Sequence, residues 1–443
     1  MSQLCCDICG NQFTTKTGLK SHKQRKNPCK PSGSAISPSP AVPPFNEFRE
    51  ISKKFNTSLS KEIRQEQGIF FTPKKIRDSL FSKLAELHVQ PKTILEPSFG
   101  SGEFILDARH VYPHAKITGI EKNEELFNST KCPEATLICC DFLEWSGTAE
   151  LIIGNPPYFV IKTDKLSAKE KKEFAAKHSN VMTGRPNIYI IFLFKCLTEH
   201  LDKNCFLAFI IPTSLYNCSY YQPMRDYIYK NTTIKYVETL NKPGFYETGQ
   251  ETMLIILQKN KYNDDYIFIR NSNIFISPHY RELYELTKNT KTIAELDLGV
   301  KTGNIVWNQH KDNLTDNHTE GTLLIYSSNI NNCELTLNNL RGGQKKQYIK
   351  DIKKPTISGP VILVDRGYGN SYNFNYVFTN LKNFYAENHI NIIYPKTVGP
   401  ESEANLQKIV KSFQDKRSQQ FIEWFIGNGC VSSTDLETIV PIF

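Results

Sequence analysis

What this sequence lacks narrows it first. No run approaches the roughly 18 consecutive apolar residues of a membrane helix, so no membrane span is expected in its 443 residues. The first residues, MSQLCCDICG, lack the apolar core of a secretory leader. An intracellular, non-secreted protein of the cytoplasm or nucleus is therefore expected. Without export, the twelve cysteines read as reduced thiols, or as metal ligands where they cluster. The shortage of apolar residues that marks disorder is absent too: 39% are apolar, with 27 Phe and 21 Tyr, which supports packed cores. The length suits two or three domains.

The net charge is +9, and its placement is uneven. Residues 1–30 hold six Lys/Arg against Asp7, and residues 341–354, RGGQKKQYIKDIKK, hold six against Asp351. Each stretch reads either as a solvated surface or as a phosphate-contacting patch, since basic clusters supply the sequence-independent part of nucleic-acid affinity.

The stretch CDICGNQFTTKTGLKSHKQRKNPC spaces Cys6, Cys9, His22 and Cys29 with two, twelve and six intervening residues, and Phe13 and Leu19 fall between them. Tetrahedral zinc takes four such soft ligands, and a small finger needs a few apolar residues to cover the metal. The stretch resembles a single zinc finger of the Cys-Cys-His-Cys kind, although its last gap is one residue longer than usual and Cys5 could replace Cys6. One finger covers few base pairs, so it would add affinity more than sequence choice. DNA and protein both stay open as its target. The Pro/Ser-rich run that follows, PSGSAISPSPAVPPF, reads as a linker. The expected division is a finger over 1–30, a linker over 31–46, a catalytic domain over 47–261 and a further domain over 262–443.

From Glu47 the pattern turns helical. In QGIFFTPKKIRDSLFSKLAEL, Thr72 is placed as an N-cap and Pro73 at the first helical position, with Ile76, Leu80, Leu84 and Leu87 at helical spacing. Short apolar runs then alternate with polar or helical segments: TILE, KITGI, TLICC, LIIG, FLAFII, IKYVETL and MLIILQ. Strands alternating with helices predict an α/β fold, a mostly parallel sheet with helices on both faces and ligands at the strands' carboxyl ends. Unusual residues follow these runs. After the first come Glu96 and Pro97, then the Gly-rich turn of Gly100 and Gly102. After the second comes Glu121, placed to accept from a ribose diol. After the third come Asp141, an acceptor for an adenine amino group, and Phe142, a stacking ring. After the fourth come Asn155, Pro156, Pro157 and Tyr158, where the two prolines stop the strand.

With these residues in place, the chain resembles the class I S-adenosylmethionine-dependent DNA adenine-N6 methyltransferases of restriction–modification systems, with the motif order of the gamma group. QGIFFTP (Phe71, Thr72, Pro73), LEPSFGSGEF, GIEKN, CDFL and NPPY are similar to its motifs, and the likeness spans roughly residues 65–260. It implies a Rossmann-like seven-stranded sheet, S-adenosylmethionine as methyl donor and duplex DNA as partner. It also implies a monomer, a target-recognition domain in the C-terminal part and a companion restriction endonuclease, and the finger joined to such a methyltransferase suggests a eukaryotic or large-virus setting. The N6 amino group is a weak nucleophile whose lone pair is delocalised into the ring. Acceptors on its two hydrogens, the Asn155 side-chain oxygen and the Pro156 carbonyl, favour attack as positive charge builds on nitrogen. Tyr158 is expected to offer a stacking face, and Phe245, by resemblance, the second ring that clamps a flipped-out base. The same signature serves methyltransferases of RNA adenine or protein glutamine. The Glu-Pro start of the Gly-rich motif, the large C-terminal part and the finger favour DNA. A catalytically inactive DNA-binding protein is the reading of another class, and the intact signature opposes it. Residues 262–443 lack the strand–helix alternation and read as an α+β unit, with a helix near QKIVKSFQDKRSQQFIEWFIGNG and a packing tail.

Overall fold

The computed structural model describes residues 4–5, 12–13, 48–58, 68, 70–162, 167–184, 186–240, 251–340, 343–367, 374–426 and 430–443. The expected zinc ligands Cys6, Cys9, His22 and Cys29, the linker and Phe245 lie outside these residues. In the first thirty residues, Leu4–Cys5 pairs antiparallel with Gln12–Phe13.

All seven apolar runs are strands of one sheet: β1 (Thr93–Glu96), β2 (Lys116–Glu121), β3 (Thr136–Cys139), β4 (Ala149–Gly154), β5 (Leu201–Pro212), β6 (Thr233–Leu240) and β7 (Thr252–Gln258). Their spatial order is β3-β2-β1-β4-β5-β7-β6. The first five are parallel to one another, and β7 inserts antiparallel between β5 and β6. This is the α/β, Rossmann-like mixed sheet of the class I methyltransferases.

The strands read as continuous apolar runs because both faces are covered. In β7, Met253, Ile255 and Leu257 enter one core while Leu254 and Ile256 enter the other. In β4, Ile152 faces the first core, and Leu151 and Ile153 face the second. One core is roofed by α6 (Ile188–Lys195) and α7 (Gln222–Asn231), the other by α2 (Lys74–Glu86) and α3 (Glu103–Val111). Each of these aliphatic side chains contributes about 1.5–3 kcal/mol by leaving water.

The start of α2 differs from expectation. Pro73, not Thr72, occupies the cap position, and the helix begins at Lys74 without a side-chain cap. The Thr72 carbonyl instead accepts from Arg77 Nη1, and its hydroxyl is buried without a partner. Ahead of α2 lies α1 (Glu50–Ser58). The smaller helices are α4 (Glu124–Ser129), after β2, and α5 (Ala168–His178), between β4 and α6. Among the described residues, no helix is long and apolar enough to cross a membrane.

Beyond the sheet, the hairpin β8 (Ile267–Arg270) and β9 (Asn273–Ile276) uses the strand alternation to serve two cores. Ile267, Ile274 and Ile276 pack under the large sheet, whereas Phe268 and Phe275 pack with Phe421 and Phe425 of the C-terminal part. The boundary expected after residue 261 thus precedes an element that both cores share. The C-terminal part holds two four-stranded sheets. The first joins Leu298–Thr302, Ile390–Pro395, Val361–Asp365 and Tyr376–Thr379, all antiparallel. The second joins Leu314–Thr315, Tyr348–Ile349, Thr322–Ile325 and Phe384–Ala386. The expected single helix is two, Pro400–Gln414 and Lys416–Ile426. The tail packs as expected, with Val431, Leu436, Ile439 and Val440 buried.

The basic stretch is partly structural, which corrects the reading of it as one patch. Lys345 is 13% exposed, lies 3.0 Å from Glu387 Oε1 and sits over the rings of Tyr326 and Trp307. Lys346 and Lys350 stand at 3.7 Å from Asp316 and Glu320.

Candidate active site

The carboxyl ends of β1 to β4 converge on one cavity of about 550 Å³. Parallel strands with right-handed crossovers leave this edge open to loops, so successive strands deliver their terminal residues to the same place. Phe71, Thr72, Pro97, Gly100, Glu121, Asp141, Phe142 and Asn155, all singled out in the sequence, line it.

Five other predicted residues stand behind the wall. Pro73 caps α2. Gly102 takes φ +77° at the start of α3, and a Cβ there would meet Cys132 Sγ at 2.9 Å, so this glycine serves the turn and its packing. Glu96 is 1% exposed beneath Gly154, where a Cβ would lie 2.3 Å from Glu96 Oε1. Pro156 is buried, and Pro157 forms the wall in its place. Tyr158 is 6% exposed, with the Phe70 ring lying parallel at 6.2 Å and Tyr189 edge-on at 6.3 Å. The expected open stacking face is therefore covered, because the ring completes the core beneath α6.

The acids differ in state. Glu121 accepts from the Gly100 N–H at 2.9 Å and the Asn123 N–H at 2.7 Å. Burial pushes its carboxyl above the usual range against the pull of these donors. At Asp141, burial also acts upward but is outweighed by the Lys122 ammonium at 2.6 Å and the Leu143 N–H at 2.9 Å, so this carboxyl falls below the usual range. Burial drives Glu96 well up, with the Ser98 N–H at 3.4 Å opposing, and its Oε2 has no partner.

The catalytic signature is held from three sides. Asn155 Nδ2 donates to the Phe70 carbonyl at 3.1 Å. The Tyr158 hydroxyl lies against Asn155 Oδ1 and 2.9 Å from the Ile210 carbonyl on β5. Gly68 fits only as glycine: its φ is +67°, and a Cβ would meet Pro157 Cβ at 2.7 Å and Tyr158 N at 2.9 Å. The Gly-rich loop is braced by helices α1 and α2. Glu103 accepts from Ser52 Oγ at 2.6 Å, the Arg49 N–H at 3.0 Å and Arg77 Nη1 at 3.1 Å.

Sequence reasoning missed Phe70, Lys122, Phe159, Ile188 and Phe192, which line the cavity. Lys122 lies inside GIEKN and Phe159 directly follows NPPY, so the motifs themselves carry the signal. Ile188 and Phe192 are hidden in an all-apolar helix.

The model of the Eco57I restriction-modification methylases matches residues 43–245. The type II methyltransferase M.CvrRI of Paramecium bursaria Chlorella virus XZ-6E is 31% identical over 407 residues, covering 89% of this chain and 99% of that protein. The modification methylase CviBIII of Paramecium bursaria Chlorella virus NC1A is 29% identical over 413 residues, covering 90% and 99%. The type II methyltransferase M.AccI of Acinetobacter calcoaceticus is 27% identical over 229 residues, covering 50% and 42%. With nearly the whole length of a relative matched above 30% identity, and the donor-type cavity at the carboxyl edge of its sheet, this chain belongs to the type II restriction-modification methyltransferases of the Eco57I kind.

Proposed function

We propose that the protein methylates the N6 amino group of adenine in duplex DNA, with S-adenosylmethionine as donor. The observation that carries this reading is Asn155, fixed at the cavity wall at the end of β4 with its amide nitrogen tied to the Phe70 carbonyl. That bond leaves the amide oxygen to act as acceptor.

The cavity residues fit the donor. Glu121 would hold the ribose hydroxyls, Asp141 the adenine amino group and Phe142 the adenine ring. The partnerless Thr72 hydroxyl offers a donor to the amino-acid end. When bound there, the donor supplies an electrophilic methyl on a sulfonium.

The chain's own work is to make the acceptor nitrogen reactive. Asn155 Oδ1 and the Pro156 carbonyl accept hydrogen bonds from the two N6 hydrogens as the lone pair leaves conjugation, and the prolines hold that carbonyl at low entropic cost. An amide oxygen has two lone pairs, so Oδ1 can keep the Tyr158 hydroxyl while accepting from the base. Tyr158 then orients the amide instead of stacking on the adenine. After transfer the nitrogen carries positive charge and loses a proton to water, so no strong base is required. The base must leave the stack to reach this site, with Phe245 as its second ring. Residues 262–443 serve target recognition, residues 1–30 a zinc finger on Cys6, Cys9, His22 and Cys29, and a cognate restriction endonuclease completes the system.

Labelled donor tests the reading. Label is expected in duplex DNA and, after digestion, in N6-methyl-2′-deoxyadenosine. Label confined to RNA or protein, or found in cytosine, would overturn it.

A further inference from the structure

The excursion over residues 160–187, between the catalytic loop and α6, has no part in the chemistry above. It leaves the catalytic loop and returns to it through a closed neck. Val160 pairs antiparallel with Asn187, the Ile161 N–H donates to the Pro186 carbonyl at 2.8 Å, and the Ile188 N–H donates to the Phe159 carbonyl at 3.1 Å. Phe159 and Ile188, one on each side of the neck, both line the cavity. What the neck holds out is α5, AKEKKEFAAKH.

No residue of α5 is buried. Only Phe174 and His178 are half-covered, their rings 4.6 Å apart. Packing of an apolar face is what usually sustains a helix in a protein, and here it is nearly missing. The ends sustain it instead. Ser167 and Glu170 form a capping box, and Lys177 complements the dipole in the last turn. A helix kept outside the core in this way presents a surface.

That surface is basic. Glu170 is engaged by the Ser167 N–H at 2.7 Å and Glu173 stands 3.8 Å from Lys169, while Lys171, Lys172 and Lys177 pair with no acid among the described residues. At 100° per residue, Lys169 and Lys172 point opposite the Phe174–His178 side, Lys177 lies on a flank, and the exposed Lys171 lies on the Phe174–His178 side. The small Ala175 and Ala176 let a partner approach the backbone. The exposed residues offer no large apolar anchor of the kind that a protein interface needs at its centre. Flexible point charges with no fixed fork suit phosphates without reading sequence.

We propose that α5 lies along the phosphate backbone of the duplex beside the base undergoing methylation. The proposal rests on the DNA reading above. Eleven residues of helix span about 16 Å, the reach of roughly four or five nucleotides at 3.4 Å each along one strand. The neck roots this stretch in the cavity wall, so a duplex docked on α5 has its target base close to Asn155.

The test uses the full chain and the variant Lys169→Gln/Lys171→Gln/Lys172→Gln/Lys177→Gln. Duplex affinity is measured against salt concentration. The variant is expected to bind roughly 10–100-fold more weakly near 0.1 M salt, and the slope of log K against log salt should fall by about three. The loss should be equal on target and scrambled duplexes, while affinity for S-adenosylhomocysteine stays at the wild-type value and reports an intact fold. Wild-type slope and affinity in the variant would overturn the proposal, as would a loss confined to one sequence. If the wild-type protein binds no duplex in this assay, the DNA reading fails instead.

Discussion

The cavity and the cluster around Lys345 treat buried polar groups in opposite ways. Around Lys345 every polar group is answered within the chain. Its ammonium meets Glu387 and two rings, and nearby Asn329 and Gln347 exchange hydrogen bonds at 3.1 and 3.3 Å while accepting from the main chain. At the carboxyl edge of the large sheet, the Thr72 hydroxyl and one Glu96 oxygen are buried with no partner. Burying such groups costs free energy unless something pairs with them. The difference teaches that polarity alone does not mark a site.

The contrast can be broken by substitution, starting with the largest expected effect. Lys345→Met leaves Glu387 buried and unpaired and should lower unfolding free energy by about 3–5 kcal/mol. Exposed Lys350→Gln should change it by less than about 0.5 kcal/mol. Denaturant unfolding of both variants checks this, and similar small losses would return Lys345 to the surface patch. Asn155→Ala should slow methyl transfer by about 10²–10³-fold, the scale of one preorganised polar group, with donor affinity nearly intact. Equal loss of rate and affinity would remove its assigned role. Gly154→Ala places a Cβ at φ +148° against the Glu96 carboxyl and should cost about 2 kcal/mol of stability; a neutral result would show that Glu96 can move. The smallest effect concerns pH. Asp141 is held below the usual carboxylate range, so its charged form, and the donor affinity it supports, is lost only as pH falls through that lowered value. In Lys122→Met the carboxyl loses its cation, its pKa rises, and donor affinity should fall at higher pH than in the wild type. An unmoved acid limb in a binding titration would separate Asp141 from donor binding.

Much of the large sheet is legible because parallel strands covered on both faces read as unbroken apolar runs, and each run is a strand. The first residues of β5, Leu201 to Cys205, escape that reading because Asp202, Lys203 and Asn204 are exposed at the sheet's edge. The acids Glu121 and Asp141 are legible because strand order carries chemistry to one edge. Tyr158 misleads because a ring after a catalytic loop reads as a platform, and nothing local announces that Phe70, more than eighty residues earlier, lies across it. Lys345 misleads for the same reason. Its partner Glu387 is 42 residues away, and pairing at that distance leaves no periodic trace. The shared hairpin is hidden because its alternation looks alike whether one core or two receives it.

The claim on which the account rests is that the Asn155 amide oxygen and the Pro156 carbonyl accept hydrogen bonds from the two hydrogens of an adenine amino group. A crystal structure with a duplex and a non-reactive donor analogue tests this most directly. The account predicts an extruded adenine whose N6 lies within about 3.2 Å of both oxygens, with the Asn155 nitrogen still on the Phe70 carbonyl. An N6 remote from residue 155, or an amide turned so that its nitrogen faces the base, would contradict it.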